Sequence, residues 1–506
     1  MKNLFKYNLL IMALLIVSCD EGFDDLNINK NAATSINPAF ILNNALINTS
    51  FVATTVQYEM GIVQQMISPN SGVLTGANYN QDNREATNQN WIRFYRSVIR
   101  NTVDVIQQTK DVPARSNLNS MAKILQSFGF MILTDSYGDI PYFEAGKGYL
   151  EQVNYPKYDA QKDIYADIIK TISEATAALD ASKTIETSDL LYGGDIAKWK
   201  KFGNSLLLRA GMRLVKIDPA LAQSTVQKAV AGGLMAANTD NAVIRHDANY
   251  TNGVGQMLNS TEAANFYITA PFVDYLKRTA DPRLRAFAVR YVGAKSGPEQ
   301  TAAKASLDTS LQIGMPMGLD NTGAVAEAAK QKLASFYDFS QVDRTRFAKN
   351  TASMFILTYS QTSLLLAEAI QRGWATGSAA DAFKNGIRAH MEECAAHDAG
   401  SAVAAADITK YLDANPYDGA KGLEQINTQY WVSSFMNGPE VFANFRRSGF
   451  PKLAPNPFPG KAIKGEFIRR LTYPNSEISV NSTSVKEAIS RQGADDLDTR
   501  VWWDKQ

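Results

Sequence analysis

The stretch LNSMAKILQSFGFMI, residues 118–132, sets Leu118, Met121, Leu125, Phe128 and Ile132 at spacings of three and four. At about 3.6 residues per turn these side chains share one stripe, so the run reads as an amphipathic helix. The same period returns in Ile164, Ile168, Ile172, Ala175 and Leu179, with Asp159 as the expected N-cap. It returns again in Ile196, Trp199, Phe202, Leu206, Ala210 and Leu214, with Asp195 ahead of the run and Pro219 ending it. Further helices are expected near 38–68, 88–110, 220–232, 354–373 and 379–397, and no strong strand alternation interrupts them.

Several of these segments come as pairs joined by short turns. Paired amphipathic helices that cannot each bury a face alone predict an all-α, mostly helical fold of the tetratricopeptide type. Long polar stretches separate the pairs: 69–87 and 236–262 are rich in Asn, Gly and Thr, as is much of 291–325, and 450–465 is rich in Pro and Lys. Loops this long inside a compact domain are commonly functional or disordered. The reading is one helical domain over 38–506 with long loop-rich insertions. The 506 residues are 45% hydrophobic and 20% charged, ample for a large core. A formal net charge of +1 supplies no global field to recruit nucleic acid.

Signatures of bond-breaking chemistry are sparse. The three histidines are His246, His390 and His397, and none lies in a His-Glu-x-x-His sequence. His390, Cys394 and His397 share a helical face with Glu393 nearby, a spacing that thiolate and imidazole ligands of zinc can use. Phe383 and Ile387 lie on that same face, so it reads as the buried side of the helix with a tucked thiol, and no metal site is expected. Arg245-His246-Asp247 puts an imidazole beside a carboxylate without a Gly-x-Ser-x-Gly elbow. No Gly-rich phosphate loop followed by Lys and Ser or Thr is present. The expectation is a binding protein without a cofactor, not an enzyme.

Aromatic residues set in polar loops carry the binding reading. Tyr79 stands beside Asn80 among other asparagines, Tyr250 next to Asn249 and Asn252, Tyr267 after Phe266, and Tyr337 and Phe339 around Asp338. A ring can cover the C–H face of a sugar while amides and carboxylates satisfy its hydroxyls. Tyr79, Asn80, Tyr250, Tyr267 and Tyr337 are therefore the candidate ligand contacts. Trp91, at helical spacing from Phe94 and Tyr95, reads as core.

At the N-terminus, Lys2 and Lys6 precede the apolar run Leu9 to Val17. That run covers roughly 14 Å as a helix, about half a bilayer core, and suits a secretory leader rather than a span. It ends in Ile16-Val17-Ser18-Cys19, which resembles a bacterial lipobox in which Cys19 is acylated and becomes the mature N-terminus. The expected boundaries are a signal peptide over 1–18 and a lipidated tether over 19–37, acidic at Asp20-Glu21-Gly22-Phe23-Asp24-Asp25. Each long acyl chain contributes on the order of 10 kcal/mol, so two or three palmitate-like chains anchor almost permanently. With Cys19 so used, Cys394 has no disulfide partner.

An ordered set of motifs after that cysteine resembles the SusD/RagB family of outer-membrane nutrient-binding lipoproteins, nearest its SusD-like branch. The set opens with Tyr137-Gly138-Asp139-Ile140-Pro141-Tyr142 and Lys198-Trp199-Lys200-Lys201-Phe202-Gly203-Asn204-Ser205-Leu206, which leads to Arg209 and Arg213. Asp281-Pro282-Arg283-Leu284 and Leu364-Leu365-Leu366-Ala367-Glu368-Ala369 follow. Glu440 with Phe445-Arg446-Arg447-Ser448-Gly449, then Arg469-Arg470-Leu471-Thr472-Tyr473-Pro474-Asn475-Ser476-Glu477 and Val501-Trp502-Trp503-Asp504, complete it. These motifs look structural: Gly138 permits a turn, Asp139 bonds backbone within it, and Arg446, Arg447 and Glu440 suggest an ion pair.

The resemblance implies a lipid-anchored protein on the outer face of the outer membrane. Its implied partner is a SusC-like TonB-dependent transporter, over which it closes as a lid while delivering a captured glycan. It leaves open a peptide ligand, a surface hydrolase and a purely structural role. Replacing Cys19 by Ala is expected to move the protein from the membrane to the soluble fraction on cell fractionation. Retention in the membrane would defeat the lipid argument.

Overall fold

The computed structural model describes residues 36–70 and 76–505. The leader, Cys19 and the tether up to residue 35 lie outside the described residues. From Pro38 onward the chain forms one compact unit. Among the described residues, no helix is long and apolar enough to cross a membrane.

Helix α1 (Pro38–Ile47) packs on α3 (Arg100–Thr109), which continues α2 (Arg84–Arg93) through a wide π-type turn at Phe94–Ile99. Next come α4 (Ser116–Tyr137), α5 (Gln161–Ala178), α6 (Ile196–Arg213) and α7 (Pro219–Gly232), each packed on its predecessor. The loop-rich middle holds α8 (Ala270–Arg278) and α9 (Asn321–Lys330). A second stack follows: α10 (Tyr359–Gln371) against α11 (Ala379–His397), then α12 (Ala405–Ala414), α13 (Gly422–Ser433) and α14 (Gly438–Ser448). Helix α15 (Ser482–Gln492) closes the chain. The fold is all-α with tetratricopeptide-like pairs. Contacts of α6 with α10 and of α4 with α14 join the two stacks.

Leu118, Met121, Leu125, Phe128 and Ile132 are all buried, and so is most of the opposite face of α4. A helix enclosed by α3, α5, α6 and α14 has no water-facing side to keep polar, which is why Phe130 and Leu133 accompany the stripe. Asp195 caps α6 as expected, accepting from the Lys198 N–H at 3.0 Å.

Three local expectations are corrected. Pro219 does not end α6; it opens α7 at the first helical position behind the Asp218 cap, where its missing N–H costs nothing. Asp159 does not cap α5. Its carboxylate accepts from the N–H groups of Tyr142 (3.0 Å) and Phe143 (2.9 Å), while Asp139 accepts from Gln161 N–H at 3.0 Å. Residues 354–357 are a strand, not the start of a helix, because a short apolar run fits either state; α10 begins only after the Thr358–Gln361 capping box.

The strands are short and antiparallel. β1 (Met66–Ile67) pairs with β5 (Tyr267–Ile268), and β2 (Ile140–Pro141) with β3 (Tyr158–Asp159). β4 (Ala242–Ile244) pairs with β9 (Met354–Leu357), and β6 (Ala288–Tyr291) lies between β7 (Ala305–Ser306) and β8 (Gln341–Val342). They fasten loops to the scaffold.

Buried ion pairs tie the helices together. Arg213 on α6 donates to Asp135 on α4 at 3.1 Å and to Glu440 on α14 at 2.7 Å. The expected grouping of Glu440 with Arg446 and Arg447 is corrected: Glu440 pairs with Arg213 and Arg209, and Arg447 pairs with Glu368 at 2.7 Å. Arg446 instead donates to the Asp135 and Arg469 carbonyls, and burial pulls it down to about 10. Burial alone would raise the Glu368 carboxyl, but the Arg447 guanidinium outweighs it and holds it near about 2.

Replacing Arg213 by Met is expected to lower stability by about 3–5 kcal/mol in urea titration, because it strands two buried carboxylates. Since the folded Glu368 carboxyl sits below its unfolded value, wild-type stability falls as pH drops from about 4.5 towards about 2. The Glu368→Gln variant should lack that component of the acid slope.

Candidate functional site

The loops between the helices gather into a layer around β1 and β5. Ile67, Tyr267, Met315, Met317 and Phe339 form its small apolar centre, with Leu319 and Phe336 packed against them. Tyr79 ends the one-turn segment Ala77–Tyr79; its hydroxyl donates to the Pro69 carbonyl at 2.8 Å. Its ring lies 4.5 Å from that of Phe458. Asn80 follows in the left-handed conformation (φ 50°), and its carbonyl accepts from Ala462 N–H at 2.8 Å. The Asn80 side-chain nitrogen is buried and finds no hydrogen-bond partner among the described residues.

Neighbouring amides stitch this corner. Asn78 Nδ2 donates to the carbonyls of Ser68 (2.6 Å) and Leu319 (3.2 Å), and Asn456 Nδ2 donates to the Asn78 carbonyl at 2.8 Å. Gly318 adopts φ 72°, and a Cβ there would meet Asn456 Oδ1 at 2.6 Å, so only glycine lets the two loops close. Burial and the nearby charge of Asp320 push the Tyr79 hydroxyl upward.

Tyr267 is fully buried in β5, donating to the Ala264 carbonyl at 2.7 Å. It has no exposed ring face to offer a ligand. Phe336 stands 6.3 Å from it and stacks on the half-buried Tyr337 at 4.2 Å. Gln300 Nε2 donates to the Tyr337 carbonyl at 2.9 Å. Tyr267 and Tyr337 are thus linked through Phe336, and the Tyr79–Asn80 turn meets the same loops through the Asn78–Leu319 bond; Tyr79 and Tyr267 are braced inside, while Tyr337 and Phe458 are half-buried.

Tyr250 lies elsewhere. Its hydroxyl donates to the Ile47 carbonyl and its ring stacks on His246 at 5.0 Å. His246 Nε2 is 2.9 Å from Ser50 Oγ, yet Nδ1 faces the Tyr250 carbonyl at 3.1 Å. Asp247 accepts from Asn249 and Tyr250 N–H groups, each at 2.8 Å. A carbonyl therefore stands where a triad has its carboxylate.

The His390, Cys394 and His397 face is the buried side of α11, as its apolar neighbours predict. His390 Nδ1 lies 3.1 Å from an Arg283 guanidinium nitrogen, a poor setting for a cation. Cys394 donates to the His390 carbonyl, and burial pushes its thiol up. Glu393, raised to about 8 by burial, accepts from Asn241 Nδ2 at 2.9 Å. The cavity these residues adjoin measures about 30 Å³, room for one or two waters.

Phe336 and Phe458 were not foreseen. Phe458 satisfies the aromatic-in-a-polar-loop pattern within 450–465, so the signal existed. The loop surface thus offers half-buried rings, the half-buried Gln81 amide and the exposed Asp320 carboxylate, groups that suit a neutral polar ligand.

A helical-repeat scaffold presenting an aromatic-lined loop surface defines a ligand-capturing protein. The chain belongs to the SusD-like family: the family model described as starch-binding, associating with the outer membrane, matches residues 30–474. A solved chitin-binding protein is 31% identical, with a TM-score of 0.82, over 93% of this chain and 100% of its own. A Bacteroidetes SusD-like protein, AC2a, is 26% identical at a TM-score of 0.82, over 93% and 100%. A chitin-binding SusD homolog from Flavobacterium johnsoniae, 24% identical at a TM-score of 0.75 over 93% and 100%, shares the fold. No curated protein matches the sequence.

Replacing Tyr267 by Ala is expected to cost about 3–5 kcal/mol in thermal unfolding, as for other buried aromatics. Phe458→Ala, at a half-buried ring, should cost less than about 2 kcal/mol. Equal losses would contradict this division of roles.

Proposed function

We propose that the protein captures a glycan at the outer surface of the outer membrane and passes it to a SusC-like TonB-dependent transporter. Acylated Cys19 holds it at the membrane. The observation that carries this reading is a pair of half-buried rings on braced loops: Phe458, 4.5 Å from the Tyr79 ring near the exposed Asp320, and Tyr337, stacked on Phe336 at 4.2 Å. Rings of this kind cover the C–H face of a pyranose, and amides and a carboxylate pair with its hydroxyls. The binding partner named for the 31% identical relative supports a chitin-type oligosaccharide as the preferred ligand. Binding is reversible and breaks no bond.

Titration calorimetry of the chain from Asp20 onward, which keeps the whole compact unit, against chitohexaose and maltoheptaose tests this. Binding is expected, and Phe458→Ala and Tyr337→Ala should each weaken it about tenfold, equivalent to about 1.4 kcal/mol. Chromatography after prolonged incubation should show the oligosaccharide intact. Binding of peptides instead, or release of shorter sugars, would overturn the reading.

A further inference from the structure

Among the described residues four aromatic side chains are classed as exposed, and three of them, Phe143, Tyr149 and Tyr155, lie on the single loop 142–157. Their exposures are 49%, 64% and 65%. Aromatic side chains normally bury most of their surface, so this concentration on one loop calls for an occupant.

The loop is held, not loose. Its ends are joined by the β2–β3 pair, with Ile140 opposite Asp159 and Pro141 opposite Tyr158. Asp159 accepts from Tyr142 and Phe143 N–H, and Glu144 accepts from Lys157 N–H at 2.9 Å. Gly146, at φ 74°, presses the loop onto α3, where a Cβ would meet Val103 at 3.0 Å. Such a compact, end-closed loop is an Ω-loop, a common carrier of function. Tyr149 is fixed at its edge: its hydroxyl donates to Asp104 Oδ1 at 2.8 Å, and Gln108 Nε2 donates to the same oxygen at 2.9 Å. The ring is oriented and its surface is left open. The Phe143 ring stands edge-on to Tyr142 at 4.9 Å.

We propose that this Ω-loop is a second glycan-contacting surface, in which Tyr149, Tyr155 and Phe143 lie against the C–H faces of a polysaccharide chain. This rests on the glycan reading above. Chemistry around the rings favours a sugar over a protein. Exposed Glu151, Gln152, Asn154 and Lys157 alternate with the rings along the loop. That arrangement breaks the continuous dry centre a protein interface needs, and it supplies the donors and acceptors that hydroxyl and acetamido groups require. Orienting Tyr149 in advance lowers the entropic cost of stacking a sugar on it. A polymer lying along several rings of the loop at once gains from effective concentration, whereas a short oligosaccharide covers one ring alone.

Co-sedimentation with insoluble chitin and with starch granules, run beside calorimetry with chitobiose and maltose, separates the two sites. The Tyr149→Ala/Tyr155→Ala double variant should lose at least about fivefold in retention on the polymer that wild type binds, with short-sugar affinity unchanged. Tyr149→Phe/Tyr155→Phe, which keeps both rings but frees that of Tyr149 from Asp104, should restore most of the retention. Phe458→Ala should weaken both measurements. Undiminished polymer retention by the double Ala variant would overturn the second surface while leaving the first intact. So would loss of co-purification with a transporter while glycan retention persists, since that marks the loop as a protein contact. Failure of wild type to bind any of these sugars would defeat both readings together.

Discussion

Arg213 reaches from α6 to carboxylates on two other helices, Asp135 on α4 and Glu440 on α14. Further donors complete each carboxylate: Tyr165 (2.5 Å) and the Trp503 indole (2.8 Å) on Asp135, Tyr430 (2.7 Å) on Glu440. Charges taken from water are tolerated only when their hydrogen-bonding capacity is met, and one alternative packing would leave several unmet. The network therefore fixes which helices meet far more strictly than apolar stripes alone. It also sets the C-terminal segment, because Trp503 is among its donors and Arg446 lies 4.9 Å from the same ring. Repeat arrays are open-ended by nature. Here the joints of α4 with α14 and of α6 with α10 bring the two stacks into one body.

That body is what makes the loops usable. Trp431 on α13 donates its indole N–H to the Val63 carbonyl at 2.9 Å, and Gln65 Nε2 returns a bond to the Trp431 carbonyl at 2.7 Å. Gln64 Nε2 donates to Ala454 at 2.6 Å, linking the strand β1 region to the segment that carries Phe458. Long loops carry many backbone groups that need partners, and side-chain amides supply them where no ladder exists. The abundance of Asn and Gln in these stretches thus serves loop order first and ligand contact second. Asn78 and Asn456 show the first use plainly, bonding to loop carbonyls on both sides.

This distinction explains what the sequence disclosed and what it concealed. The helices α4, α5 and α6 were legible because a period of about 3.6 residues is imposed by burial along the whole element. Strand β9 was not, since four apolar residues fit either state until β4 is known to lie beside them. For the candidate site, the polar-loop pattern picked out Tyr79, Asn80, Tyr267 and Tyr337 alike, although Tyr79 and Tyr267 are buried with their hydroxyls on carbonyls and Tyr337 is half-buried. Whether a loop tyrosine braces or binds depends on partners distant in sequence, as with Tyr250 and Ile47. Tyr155 beside Asn154 and Phe458 among prolines met the same pattern and were passed over, because composition alone ranks no loop above another.

A protein that captures and then yields its ligand must hold it moderately. Deep enclosure would bury every ring and hydroxyl, and release would then require opening the fold. Half-exposed rings on braced loops do otherwise: each contributes about 1–2 kcal/mol, so three of them together reach about millimolar to tens-of-micromolar affinity. Bracing matters as much as exposure, since a ring free to turn loses part of that gain to ordering. The buried tyrosines of the loop layer and the edge-fixed Tyr149 therefore share one role, holding aromatic surfaces still at the water boundary. On the proposed reading, affinity for a long chain would come from the number of such surfaces it touches at once, and each contact would break separately as the chain is drawn away.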